Sequence, residues 1–125
     1  MKTPLLSWRR LVLGAVVFVV AWYAGSYPRG MGMAYIDHAC GRYEIKEWGF
    51  PVPWRDECSK LLREKYGVEM DVVGGCMLFP TTEMYAEGYN SGSEALLVKR
   101  YGKDVFAECA EETRQKWKTE HPGEW

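Results

Sequence analysis

Residues 43–75 read YEIKEWGFPVPWRDECSKLLREKYGVEMDVVGG, and this stretch decides the fold. It begins with residues 43–48, where apolar and charged side chains alternate as they do in a half-buried strand. Residues 68–73 alternate in the same way and end at Gly74 and Gly75. The stretch therefore predicts a strand, a helix and a second strand in quick succession.

The helix between the two predicted strands has clear start and end signals. Pro53 suits the first helical position, Asp56 and Glu57 fall in the first turn, and Gly67 suits the left-handed residue after the end. The apolar face has helical spacing and consists of Trp54, Cys58, Leu61 and Leu62. If this helix is the crossover between two strands of one sheet, the strands are parallel.

Downstream of Pro80 the chain is predicted to be helical. The sequence GYNSGS at residues 88–93 predicts a break, because Ser91 followed by Glu94 is a capping-box pattern. The next helix is expected to end at Gly102, and Asp104 is expected to cap the last one. The predicted fold class is therefore α+β and helix-rich, with a short two-stranded β element and three to four helices in a small disulfide-linked domain.

The N-terminal part contains an uncharged run, LVLGAVVFVVAWYAG at residues 11–25. It covers roughly 22 Å as a helix, so flanking residues such as Leu5 and Leu6 must extend it across a hydrocarbon core of about 30 Å. One transmembrane helix is predicted. Its membrane-interface residues are predicted to be Trp8, Arg9, Arg10, Trp22, Tyr23 and Tyr27.

Lys2, Arg9 and Arg10 precede the apolar run and predict a cytoplasmic N-terminus. The expected location is a bacterial inner membrane with the C-terminal domain in the periplasm. A mitochondrial inner membrane facing the intermembrane space satisfies the same reasoning. A cleavable signal peptide ending at Ser26 is an alternative, and it would leave a secreted soluble binding domain that starts at Tyr27.

The chain is expected to have four parts. Residues 1–27 form the cytoplasmic N-terminus and signal-anchor helix, 28–39 a juxtamembrane linker, 40–119 the extracytoplasmic domain, and 120–125 a tail. Residues 27–125 hold 13 basic residues against 17 acidic ones. This balance makes nucleic acid a poor partner, because phosphate backbones are bound by clustered Lys and Arg.

All four cysteines follow the apolar run, at Cys40, Cys58, Cys76 and Cys109. An even number in a small exported domain predicts two disulfides. The expected parallel strands favour a Cys58–Cys76 link, which leaves Cys40 to pair with Cys109. No pair has the C-x-x-C spacing of a zinc or thioredoxin-like centre, so no metal or cofactor is predicted.

No catalytic motif stands out in the sequence. Asp37, His38 and Cys40 are a possible nucleophile cluster, but a loop before a disulfide cysteine is the simpler interpretation. Glu47 and Asp56 are a possible acid pair for glycan hydrolysis, although solvated or salt-bridged acids are the simpler interpretation. No catalytic residue is therefore predicted.

The aromatic segment WGFPVPW at residues 48–54 predicts a binding surface, because Trp and Tyr dominate protein interfaces and prolines stiffen the chain. Trp48, Phe50 and Trp54 are the predicted partner-binding residues. The predicted function is a non-enzymatic, single-pass accessory or assembly subunit of a membrane protein complex. The alternative is a membrane-tethered periplasmic envelope hydrolase, which requires a concave pocket lined by two acids or by His38.

Overall fold

The computed structural model describes residues 7–124, and within them it contains five helices and one two-stranded sheet. The elements, in order, are α1 (Trp8–Ala24), α2 (Ser26–Ala39), β1 (Tyr43–Glu47), α3 (Arg55–Tyr66), β2 (Val68–Val72), α4 (Pro80–Tyr101) and α5 (Val105–Glu120). The predicted helix-rich α+β class is confirmed.

The two strands are parallel, as residues 43–75 predict. Tyr43 pairs with Val68 at one end of the sheet and Glu47 with Val72 at the other. Helix α3 is the crossover, and it ends at Gly67 in the left-handed conformation with φ of 65°. A side chain at that φ would be strained, which is why glycine terminates this helix.

The core lies where α3, α4 and α5 meet the sheet. Its buried apolar residues are Ile45, Cys58, Leu62, Val68, Leu97, Val105 and Cys109. Helix α5 runs antiparallel to α3, since the Trp54 and Trp117 rings are 5.8 Å apart at one end and Tyr66 donates a 2.7 Å hydrogen bond to Glu108 at the other. Asp104 caps α5 as predicted, and its side chain accepts a 3.0 Å hydrogen bond from the Ala107 amide.

Residues 28–39 are helical, whereas the sequence predicted a linker. Pro28 lies in the first turn of α2, where its missing amide costs little. Gly30 faces α4 so closely that a Cβ atom there would overlap the carbonyl oxygen of Tyr85. The glycine that suggested a loop therefore provides a tight helix contact instead.

Helix α4 is continuous through GYNSGS, so the predicted break at Ser91 is wrong. Gly88 faces Tyr27, and Gly92 lies against Met31 and Ala34, so both glycines again serve the contact with α2. Tertiary packing outweighs the local capping signal here, since close approach of two helices requires small residues on the shared face.

The predicted single transmembrane helix is also wrong. No single helix among residues 7–124 is both long and apolar enough to cross a membrane. Helices α1 and α2 pass that test only as a pair, and their axes bend by 45° at the break between them. Pro28 explains the bend, because its ring clashes with the carbonyl four residues earlier, at the end of α1.

The predicted disulfides are absent, and all four cysteines are free thiols. Cys58 and Cys109 are buried in the core, whereas Cys40 and Cys76 are exposed. Cys58 faces α5, where Cys109 is an electrostatic neighbour. Burial is the main cause that raises the pKa of Cys58 to about 11.

Candidate membrane-facing surface

Helix α1 has no buried residue. Its large apolar side chains are between 43% and 67% exposed from Leu11 to Val20, and they lie on every side of the helix. A helix that is apolar all round is normally covered on all sides by an apolar medium. Among the described residues, the main contact of α1 with another element is at its end, next to α2.

The predicted interface residues lie at the two ends of α1. Trp8, Arg9 and Arg10 are exposed at its start. At its other end the Arg29 guanidinium stacks over the Trp22 ring, 4.1 Å from the centroid. The Ser26 hydroxyl donates a 2.9 Å hydrogen bond to the Trp22 carbonyl. Predictions that involve Lys2, Leu5 and Leu6 lie outside the described residues.

A second apolar surface lies in the two loops that follow β1 and β2. Phe50, Met77 and Phe79 are 82%, 89% and 81% exposed. The loops are joined by hydrogen bonds from the Val73 amide to the Glu47 carbonyl, at 2.9 Å, and from the Gly49 amide to the Gly75 carbonyl, at 3.1 Å. We call Phe50, Met77 and Phe79 the loop patch.

The three predicted partner-binding aromatics have different environments. Trp54 is half-buried and packs against Trp117 at the end of α5. Trp48 is also half-buried and lines a shallow hollow beside β1. Only Phe50, of these three, presents most of its ring to the outside, and it belongs to the loop patch.

That hollow, of about 200 Å³, contains two carboxylates, Glu47 and Glu94. Burial raises the pKa of both, opposed at Glu47 by the charge of Arg55 and reinforced at Glu94 by Asp104. The sequence suggested Glu47 but paired it with Asp56, which is exposed on α3. Glu94 was missed because its spacing from Ser91 resembled a cap.

The Asp37, His38 and Cys40 cluster does not form a nucleophilic site. The Asp37 carboxylate is buried and accepts hydrogen bonds from Arg42, at 2.7 Å, and from Tyr89, at 2.8 Å. His38 packs edge-on against Tyr43, and its pKa is lowered first by burial and then by the charge of Arg100. Asp37 and His38 therefore serve separate structural contacts, and Cys40 is an exposed thiol.

Residues 7–124 contain no group of three His, Cys, Asp or Glu side chains that could hold a metal ion. Comparison with known protein families, curated proteins and solved structures finds no match. Function is therefore inferred from the surfaces described above.

Proposed function

We propose that this protein is a membrane-anchored accessory or assembly subunit of a membrane protein complex, in a bacterial inner membrane with its domain on the outer face. The exposure of α1 carries the proposal, because apolar surface of this extent is costly in water. The proposed anchor consists of α1 together with the start of α2, because, among the described residues, only the two helices as a bent pair are long and apolar enough to cross a membrane.

Lipid suits α1 better than a groove in a soluble partner. The five consecutive residues 16–20 are apolar and exposed, and successive helical positions point about 100° apart. A groove covers one face of such a helix, whereas lipid covers all of them. Arg9 and Arg10 at the start of α1 favour a cytoplasmic N-terminus.

Contact with other subunits is supported by the middle of α1. Gly14 has open space where a Cβ atom would stand, and Ala15 is its neighbour. Small residues let membrane helices approach closely, and such positions are enriched at their interfaces. Helix α1 can therefore pack against a helix of a larger assembly while α2 leads into the domain.

Membrane anchoring is tested by Val17→Asp in α1, with Val98→Asp on α4 as the matched control. The two valines are 59% and 43% exposed. A central acid in a membrane helix costs about 2.5–3.5 kcal/mol, so Val17→Asp should become extractable from membranes at alkaline pH while Val98→Asp stays in the pellet. Extraction of the wild type would contradict the proposal.

Membership of an assembly is tested by native electrophoresis in mild detergent. The wild type should migrate with a larger complex, and Gly14→Leu should release it because the side chain fills the open space at Gly14. Val19→Leu, which adds apolar volume elsewhere on α1, should stay with the complex. A wild type that migrates as a free monomer, under conditions that keep other complexes intact, would contradict the accessory role.

A tethered envelope hydrolase is the second candidate, favoured by the hollow that holds Glu47 and Glu94. A raised pKa favours the protonated form of a carboxyl group, which is the form a general acid needs. The test is release of soluble fragments from purified peptidoglycan by the full chain. Activity that is lost in Glu94→Gln would support this candidate, and no release by the wild type would eliminate it.

A further inference from the structure

The loop patch contains the most exposed large apolar side chains of the domain. Outside α1, no other described large apolar residue is more than 55% exposed, whereas all three members of the loop patch exceed 80%. They also lie at one end of the domain, because the loops that carry them leave the same end of a parallel sheet and are hydrogen-bonded to each other.

The packing of α2 on α4 fixes where this end of the sheet lies. Tyr27 meets Gly88, and Ala34, further along α2, meets Gly92, further along α4. The two helices therefore run in the same direction. Pro80 precedes Gly88 by about two turns, roughly 12 Å, so α4 begins beyond the start of α2, on the side from which α1 arrives.

The strands give the same placement independently. The Asn90 side chain accepts a 2.7 Å hydrogen bond from the Lys46 amide and donates a 2.7 Å hydrogen bond to the Lys46 carbonyl. The Ser93 hydroxyl donates to the Glu44 carbonyl. Strand β1 thus runs opposite to α4, and its carboxyl end points toward the start of α4. Phe50 and Phe79 consequently lie at the anchor end of the domain.

We infer that the loop patch is a second membrane-contact site, in which Phe50, Met77 and Phe79 enter the interfacial region of the leaflet from which α2 emerges. This inference rests on the proposed membrane anchoring by α1. Aromatic and large apolar side chains are the ones that partition to the headgroup and upper acyl region. The anchor already holds this end of the domain at the lipid surface, so contact requires no separate docking step.

The charges at this end point to apolar rather than ionic contact. Asp56, Glu57 and Glu83 lie in the first turns of α3 and α4, and the bases near them include Arg29, Arg55 and Lys116, whose ammonium is 3.3 Å from the Glu57 carboxylate. Such a mixture does not favour anionic lipid. Insertion should therefore occur in zwitterionic phosphatidylcholine vesicles and should not weaken at high salt.

The two exposed thiols provide a matched pair of probes. Cys76 adjoins Met77 in the loop patch, whereas Cys40 ends α2 at the far side of the domain. Cys40→Ser and Cys76→Ser each leave one exposed thiol for a fluorophore. The full chain is then reconstituted into phosphatidylcholine vesicles that contain spin-labelled lipid. We expect quenching at Cys76 to exceed quenching at Cys40 at least twofold.

The double variant Phe50→Ser/Phe79→Ser should show less quenching at Cys76. It should still float with the vesicles, because α1 keeps it in the membrane. Flotation with equal quenching at both thiols would overturn the inference and leave the anchor intact. Failure to float would overturn the anchoring proposal and this inference together. Quenching at Cys76 that falls as the salt concentration rises would show that ionic attraction, and not apolar insertion, holds the loop patch at the membrane. That result would also overturn the inference.

Discussion

Single glycines in this chain have opposite roles even when they are two residues apart. Gly30 and Gly32 both belong to α2. A Cβ atom at Gly30 would overlap the Tyr85 carbonyl and crowd the Tyr89 amide, whereas one at Gly32 would meet nothing within 4 Å. The same residue type therefore supports close packing at one site and only weakens the helix at the other.

We predict that Gly30→Ala destabilises the domain by about 1–3 kcal/mol, because the obstructing atoms are backbone and cannot move aside easily. Gly32→Ala should instead stabilise it by roughly 0.5–1 kcal/mol, since alanine restricts the unfolded chain and favours helix. Urea unfolding of the detergent-solubilised chain measures both. Equal effects of the two substitutions would contradict the α2–α4 contact.

The stability of the domain is expected to depend on pH through the half-buried Glu94. Burial, reinforced by Asp104, raises its pKa, so the folded state prefers the protonated carboxyl. That contribution to stability is present below the carboxyl's ordinary pKa and is lost as pH rises through the raised value.

Glu94→Gln should therefore melt at a higher temperature than the wild type at pH 7, and the difference should shrink toward pH 4. Thermal unfolding at both pH values is the measurement, with Glu87→Gln at an exposed position of α4 as the control. A gain that is the same at both pH values would show that ionisation is not its cause.

At the scale of elements, α4 protects the outer edge of β1. Asn90 substitutes for a neighbouring strand by binding both the amide and the carbonyl of Lys46. An edge covered in this way cannot recruit another chain. A sheet of two strands is marginal by itself, and this contact is part of what makes it stable.

We predict that Asn90→Ala destabilises the domain by about 1–3 kcal/mol, because two backbone groups of β1 lose their partner. Ser91→Ala should have little effect, since it leaves both hydrogen bonds in place and alanine suits a helix interior. Chemical unfolding compares them. A larger loss from Ser91→Ala would restore the capping role that the sequence suggested.

The elements that the sequence predicted correctly are those with local signals. Local patterns were sufficient to predict the parallel strand-helix-strand unit. These patterns are the alternation in residues 43–48 and 68–73 and the left-handed glycine at Gly67. The structure ends β1 one residue earlier than predicted, at Glu47, and starts α3 at Arg55, two residues after Pro53.

The errors arose where one residue type supports two different structures. Gly30 lies in the predicted linker, and Gly88 and Gly92 lie in the predicted break, yet all three serve a helix contact between segments far apart in the chain. The disulfide prediction for Cys58 was wrong because Cys58 faces α5, and no local pattern reveals the position of α5. Of the surface residues, the exposure of Phe50 between Gly49 and Pro51 was foreseeable, but its place at the same end of the domain as Met77 and Phe79 required the register of the sheet.

In the molecule as a whole, α1 has few contacts with the rest of the described chain. None of the core residues comes from α1. The contacts at the junction are local, such as the Ser26 hydrogen bond to Trp22 and the Arg29 stacking on the same indole.

A chain that starts at Gly25 should therefore keep its melting temperature within about 4 °C of the full chain, which corresponds to less than about 1 kcal/mol. It should also lose membrane association and need no detergent to remain monomeric. Circular dichroism and sedimentation measure these properties. A chain that loses cooperative unfolding would show that α1 supports the core.

The antiparallel packing of α5 on α3 has a practical consequence for fusion proteins. Because Trp117 returns to Trp54, the last turn of α5 lies at the end of the domain from which the loop patch projects. If the loop patch contacts lipid as proposed, a reporter joined directly after residue 125 would be crowded against the bilayer and would compete with Phe50 and Phe79 for the same space. A linker long enough to lead the reporter past the domain, or an insertion at the turn between α4 and α5 on the opposite end, avoids this conflict.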